Sequence, residues 1–209
     1  MISLNCSDNG SIALCKQILS SYPSALHRAL SRSISDASKA CRAQINREVL
    51  ARYDISRSNL KDTYTVRTVT PKQEGAVDRG GLVVSSHRIP VVRFNTVPQD
   101  VPSQKGIPVN RRQILSTIVV RGQQITARPN RFLAKMASSH LGVFHRLPGT
   151  KNRAGTGEQI QEEFRVSVSE MIGGKNIRPK IEKRTGEVFQ ARVQYHTMRE
   201  LKKISEKAK

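Results

Sequence analysis

The sequence predicts an α+β fold, and three observations predict it. A long run of apolar residues at three- and four-residue intervals opens the chain after residue 22, and a second such run closes it. Between them lie short segments that alternate apolar and polar residues, divided by Gly- and Pro-bearing turns. Strands gathered between helices, without βαβ alternation, favour α+β. The expected architecture is a long N-terminal amphipathic helix, a central antiparallel β-sheet or sandwich, and a C-terminal helix. At 209 residues, one domain with extensions is expected. Residues 1–22 would be an arm, 23–205 a single domain and 206–209 a basic tail.

Residues 1–22 carry one apolar patch, Ile12, Leu14, Ile18 and Leu19, which suits a short helix or an arm that docks on a neighbour. Pro23 and Ser24 read as a helix start, with Ser24 a candidate N-cap. Leu26, Leu30, Ile34, Ala37, Cys41, Ile45 and Val49 then form one stripe. Arg28, Arg32, Lys39, Arg42 and Arg47 fall largely off it. Asp54 and Ser56 suggest a break and a short helix through Lys61. Thr63 to Val69, Leu82 to Val84 and Ile89 to Phe94 read as strands, and Pro90 restricts the last to an edge or a strand start. Pro71 to Gly81 reads as a loop, as do the proline-rich residues 95–113. Ile114 to Ala127 reads as a hairpin turning at Arg121-Gly122. Phe132 to Met136 suggests a turn or two of helix, followed by a strand from Gly142 to Arg146. Pro148 to Gly157 is a basic, Gly-rich loop carrying Lys151 and Arg153. Phe164, Val166 and Val168 suggest a half-buried strand, ended by Gly173-Gly174. Pro179 suits a first helical turn, and Ile181, Val188, Ala191, Tyr195, Met198 and Leu201 form the closing stripe.

Charge is the dominant compositional signal: 36 Lys and Arg against 16 Asp and Glu, a formal net charge of +20. Such a field favours encounter with polyanions: nucleic acid, an anionic surface or an acidic protein. A membrane fits least, because no apolar run approaches the ~20 residues of a spanning helix. The interrupted N-terminal apolar stretch is not expected to be a signal peptide. Asn5-Cys6-Ser7 is a sequon by chance on that reading. Three cysteines, Cys6, Cys15 and Cys41, lack metal-ligand spacing and suit inert thiols in a reducing cytosol.

No catalytic constellation emerges. The loop from Gly149 to Gly157 lacks the lysine of a P-loop, since Thr156 follows Gly155. The five histidines are scattered, and the closest pair, His140 and His145, is expected to have no nearby carboxylate or cysteine to complete a metal shell. Glu162 and Glu163 are adjacent on a strand and should project to opposite faces. No cofactor or metal is implied, and no enzyme is expected. Aromatics are too few for a base-stacking platform and no finger or RRM pattern appears, so any nucleic-acid contact runs through phosphates. The Arg79-Gly80-Gly81 triplet adds little.

Four segments in order resemble a known family. A long Ala/Arg/Ser-rich helix leads into Tyr53-Asp54-Ile55. Arg88, Ile89 and Pro90 follow a strand, with Phe94 close behind. Next comes Phe132 with Ala134, and then Gly142, Val143, Phe144 and Arg146, before a closing amphipathic helix. Over roughly residues 24–205 this is similar to bacteriophage minor tail protein Z and its tail-completion relatives. The resemblance implies a virion protein, made in the host cytoplasm and added at the head-proximal end of the tail or at the neck. Its expected partners are the tail terminator, tube and head-completion proteins. It also implies a homo-oligomeric ring, with a hexamer matching tail symmetry, and non-specific contact with genomic double-stranded DNA. Arg28, Arg32, Lys39, Arg42, Arg47, Lys151 and Arg153 are the candidate DNA-facing cations, and the two long loops are candidate subunit contacts. The alternative class is a free basic nucleic-acid-binding protein, ribosomal or nucleoid-like.

Overall fold

Two 30-residue helices frame the computed structural model, α2 (Pro23–Arg52) and α5 (Arg178–Lys207), with short antiparallel strands between them. The fold class is α+β. The structure describes residues 2–4, 10–69, 81–97, 116–123, 125–126, 131–136 and 138–207. The loop expected over 71–80, most of the proline-rich stretch (98–113), the sequon with Cys6 and the last two residues of the basic tail lie outside them. Contacts divide the chain into two units: residues 1–48, 64–86 and 169–209 form the first, and residues 49–63 and 87–168 the second.

The first unit begins with β1 (Ile2–Leu4) and α1 (Ser11–Ile18). In the segment set apart as an arm, β1 pairs with β3 (Gly81–Ser86) and α1 packs on α5. β3 also pairs with β2 (Tyr64–Val69), giving the order β1-β3-β2 with β2 at an edge. Helix α2 starts with Pro23 as its first residue, where a missing N–H costs nothing. Ser24 therefore lies inside the helix, and the Tyr22 carbonyl receives the amides of Ala25 and Leu26. The α2 stripe faces inward: Leu30, Ala37, Cys41, Ile45 and Val49 are buried, and Leu26 and Ile34 partly so. Ala25, Ala29, Leu30 and Ala37 join Cys15, Leu19, Phe189 and Val193 in one cluster.

The α5 stripe read from the sequence is a correction. Tyr195 and Met198 are 54% and 64% exposed, and the buried residues are Ile181, Thr185, Gly186, Phe189, Val193, His196, Thr197 and Glu200. Half of that face is polar, and apolar periodicity holds at Ile181, which is buried, and at Leu201, which packs against the cluster, but fails at Ala191, Tyr195 and Met198. Three of the four polar members have partners on other helices, whereas the Thr185 hydroxyl has none among the described residues. Glu200 is bonded by Arg28 (3.0 Å) and Arg32 (2.8 Å) of α2, and His196 Nε2 lies 3.2 Å from Asp36 Oδ2. The Thr197 hydroxyl lies 3.0 Å from Cys15 Sγ of α1.

The last strand expected in the sequence is also shorter than its alternation suggests. Strand β11 (Phe164–Ser167) pairs irregularly with β4 (Arg88–Pro90), leaves Phe164 46% exposed and buries Ser167. Val168 opens a further helix, α4 (Val168–Ile172), whose Ser169 amide is received by the Ser86 hydroxyl at 2.8 Å. Gly173-Gly174 therefore ends a helix.

Among the described residues the second unit holds the end of α2, the helix α3 (Arg57–Lys61) capped by Ser56, and eight strands. The run from Ile89 to Phe94 is broken: after β4 the chain makes a 3-10 turn at Val91–Arg93 and resumes as β5 (Asn95–Val97). Strand β5 pairs with β6 (Ser116–Ile118), and β6 with β7 (Ile125–Thr126). Gly122, at φ +82°, supplies the left-handed residue in the turn between them. Phe132 to Met136, expected to make a turn or two of helix, instead fall in and just after the strand β8 (Arg131–Lys135). Neighbours overrode the local pattern: all five residues pair with β9 (Leu141–Arg146), and Leu133 packs on Val91 and Val143. Strand β10 (Ile160–Glu162) completes the order β10-β9-β8.

Candidate nucleic-acid interface

One side of α2, together with β2, bounds a groove of about 950 Å³ in the first unit. Its helix wall carries Ser31, Ile34, Ser35, Ser38, Lys39, Arg42, Ala43 and Asn46, and its strand wall Val66, Arg67 and Thr68. Short serines and an alanine keep the helix wall low, which lets a polymer backbone approach closely. Three cations line the groove, and no carboxylate does among the described residues. Hydroxyls, an amide and cations are the side chains that contact phosphates without reading bases.

Tyr64 ties the two walls together. Its hydroxyl donates to Asn46 Oδ1 at 2.7 Å and lies 3.2 Å from the Arg42 carbonyl oxygen. Burial pushes its pKa up to about 12, against the opposing pull of the Arg42 cation. The phenol therefore stays a donor at neutral pH and holds β2 at a fixed position along α2.

The expected DNA-facing cations divide into three sets. Lys39 and Arg42 share the groove and are joined there by Arg67, which the sequence reading missed. Arg67 sits in a strand with no periodic charge signal, so only the pairing of the walls could reveal it. Arg47 is exposed on α2 and does not line the groove. Arg28 and Arg32 are engaged by Glu200, whose side chain is 1% exposed. Burial alone would raise the Glu200 pKa, but hydrogen bonds from Lys203 and Arg28 outweigh it and hold the carboxyl at about 2. Lys151 and Arg153 are exposed in the β9–β10 loop of the second unit. Asn152 closes that loop onto Gly157 and Thr156.

Asp36 is the acid nearest the groove in sequence, and it is already occupied. The His196 hydrogen bond does most to hold its carboxyl below the usual range, against burial, with Lys39 and Arg192 assisting. His196 Nδ1 is buried without a hydrogen-bond partner among the described residues, and burial pushes the Cys15 thiol up against the opposing hydrogen bond from Thr197.

The residues of the family-like motif all fall in the second unit. Ile89, Phe94, Val143 and Phe144 are buried. Phe132 stacks on Phe144 at 6.3 Å, and the Arg146 guanidinium lies over Phe132 at 5.5 Å. A Cβ on Gly142 would come within 2.9 Å of both the Phe144 ring and Glu162 Oε1. Ala134 pairs with Gly142, and Arg88 and Pro90 pair with β11. The motif is thus a packing device around β8 and β9. One expectation is corrected here: His140 has a carboxylate beside it, with Glu162 Oε1 at 2.9 Å. Glu163 turns to Arg131 at 2.5 Å and Arg165 at 3.5 Å. No group of three metal-ligating side chains occurs among the described residues, and no helix there is long and apolar enough to cross a membrane.

No protein-family model, curated protein or solved structure matches the chain.

Proposed function

We propose that the chain is a structural virion protein of a tailed phage, a minor tail or tail-completion component at the head-proximal end of the tail or neck. Its role is to help join tail to head and to accommodate the genome end, without bond-making. The observation that carries this reading is the α2–β2 groove, where Lys39, Arg42 and Arg67 stand among hydroxyls with no carboxylate among the described lining residues. It suits non-specific contact with a DNA backbone, and the ordered motif resemblance selects the tail class. Copies form a ring, with a hexamer matching tail symmetry, so that weak contacts add by multivalency.

Labelling the protein in purified, genome-filled particles tests the location. Signal at the neck or proximal tail is expected, and absence from both ends the reading. Phage carrying Lys39→Glu, Arg42→Glu and Arg67→Glu should lose infectivity at least about tenfold, with the soluble variant still folded, because the three residues line a groove and are exposed.

The same groove also favours the alternative, a free basic nucleic-acid-binding protein. That reading predicts tight duplex binding by the isolated chain at physiological salt. The tail reading predicts weak binding until copies are assembled.

A further inference from the structure

We propose that the outward face of α5, with the adjoining edge of α1, docks an acidic amphipathic helix of a different protein. Val188, Ala191, Tyr195 and Met198 recur at intervals of three and four, the spacing that puts side chains on one helix face. Val188 is partly buried and Ala191 exposed, while Tyr195 and Met198 are among the most exposed apolar residues described. Helix α1 adds Leu14 and Ile18, four residues apart and 50% and 37% exposed. Scattered exposed apolar residues need no explanation, but a contiguous stripe at helical period does.

The shape suits a packed helix. Leu14, Ile18 and Met198 line a furrow of about 70 Å³ floored by Cys15, Val193 and Thr197. Val188, Ala191 and Tyr195 line a second of about 340 Å³ on the same helix. From Val188 to Met198 the stripe runs roughly 15 Å, two to three helical turns. Knobs of a partner helix would seat in the two furrows.

Charge selects the occupant. Continuing the stripe by one step at each end gives Arg184 and Lys202, both exposed. Each has only an exposed intrahelical carboxylate, Glu187 at 3.4 Å and Glu206 at 3.9 Å, and such pairs hold little energy. Pairing with a second copy in parallel would set Arg184 on Arg184. Pairing antiparallel would set Arg184 on Lys202, in a chain of net charge +20. A partner helix with an apolar centre and carboxylates at both ends meets the stripe and its two cations together. This surface is independent of the tail reading and would serve any assembly in which the chain takes part.

The probe is a synthetic 18-residue helix with leucines on one face and glutamates in its terminal turns. Its controls replace the leucines by serine or the glutamates by lysine. Titrated by fluorescence anisotropy against the full chain, the acidic amphipathic peptide should bind at least tenfold tighter than either control. The variant Tyr195→Ser/Met198→Ser, with unchanged Tm, should lose that advantage. Equal binding of the peptides, or undiminished binding by the variant, overturns the proposal. It is also overturned if sedimentation shows a wild-type dimer that the variant dissociates, which assigns the face to a second copy. Co-sedimentation with phosphatidylserine vesicles that the peptide does not displace assigns it to a lipid surface. Failure of any of these leaves the particle-labelling result untouched.

Discussion

Helices α2 and α5 are equally long, both basic and both amphipathic, yet the sequence is legible in one and misleading in the other. In α2 the buried stripe is apolar save for Ser33, whose hydroxyl donates to the Ala29 carbonyl, and the outward side is polar and cationic, so periodicity and burial agree. In α5 the apolar Ala191, Tyr195 and Met198 face out, and the buried side carries Thr185, His196, Thr197 and Glu200 beside Ile181, Phe189 and Val193. The difference teaches that a helix buries the side for which it has partners. Polar groups become burial sites once Arg28, Arg32 and Asp36 of α2 are in place to satisfy them.

Substitutions on α5 should divide along that line. The largest effect is expected for Phe189→Ala, which empties the shared cluster and should cost about 3–5 kcal/mol in urea unfolding. Glu200→Gln comes next. It removes a buried carboxylate from three cations, and since those cations are half exposed the loss should be about 2 kcal/mol, below that of a fully buried pair. In the second unit, Gly142→Ala should cost about 1–3 kcal/mol, because the Phe144 ring must shift. Tyr195→Lys with Met198→Lys should change stability by no more than about 0.5 kcal/mol. A large loss from that pair would break the comparison by showing that the outward stripe is structural.

Acid and alkali sharpen the same contrast. The Glu200 carboxyl is held at about 2, below its ordinary 4.5. Its contribution is therefore complete above about pH 5 and drains as pH falls toward 2. Wild type should lose more stability over that interval than Glu200→Gln. Tyr64 is shifted the other way, from 10 to about 12. Its contribution is complete below pH 10 and lost as pH rises through 12, so Tyr64→Phe should flatten the alkaline limb of the unfolding curve.

The framework of the fold was readable because it rests on local signals: the α2 stripe, the Ser56 cap, the Arg121-Gly122 turn and the strand around Val143. What was not readable depended on neighbours distant in sequence. Residues 131–135 became a strand because β9 lies beside them, and Val168 began a helix because Ser86 receives the Ser169 amide. The groove was half legible. Lys39 and Arg42 stand off the α2 stripe in plain sequence, while Arg67 enters only when Tyr64 fixes β2 along α2. Arg28 and Arg32 look alike in sequence to Arg42, and Glu200, more than 160 residues away, distinguishes them.

The claim that the α2–β2 groove is the polyanion face is tested most directly by the salt dependence of duplex DNA binding. With the isolated chain and a short mixed-sequence duplex, removing Lys39, Arg42 and Arg67 to alanine should make the slope of log K against log salt shallower by about 2 to 3, near one phosphate contact per cation. An unchanged slope in the triple variant would contradict it.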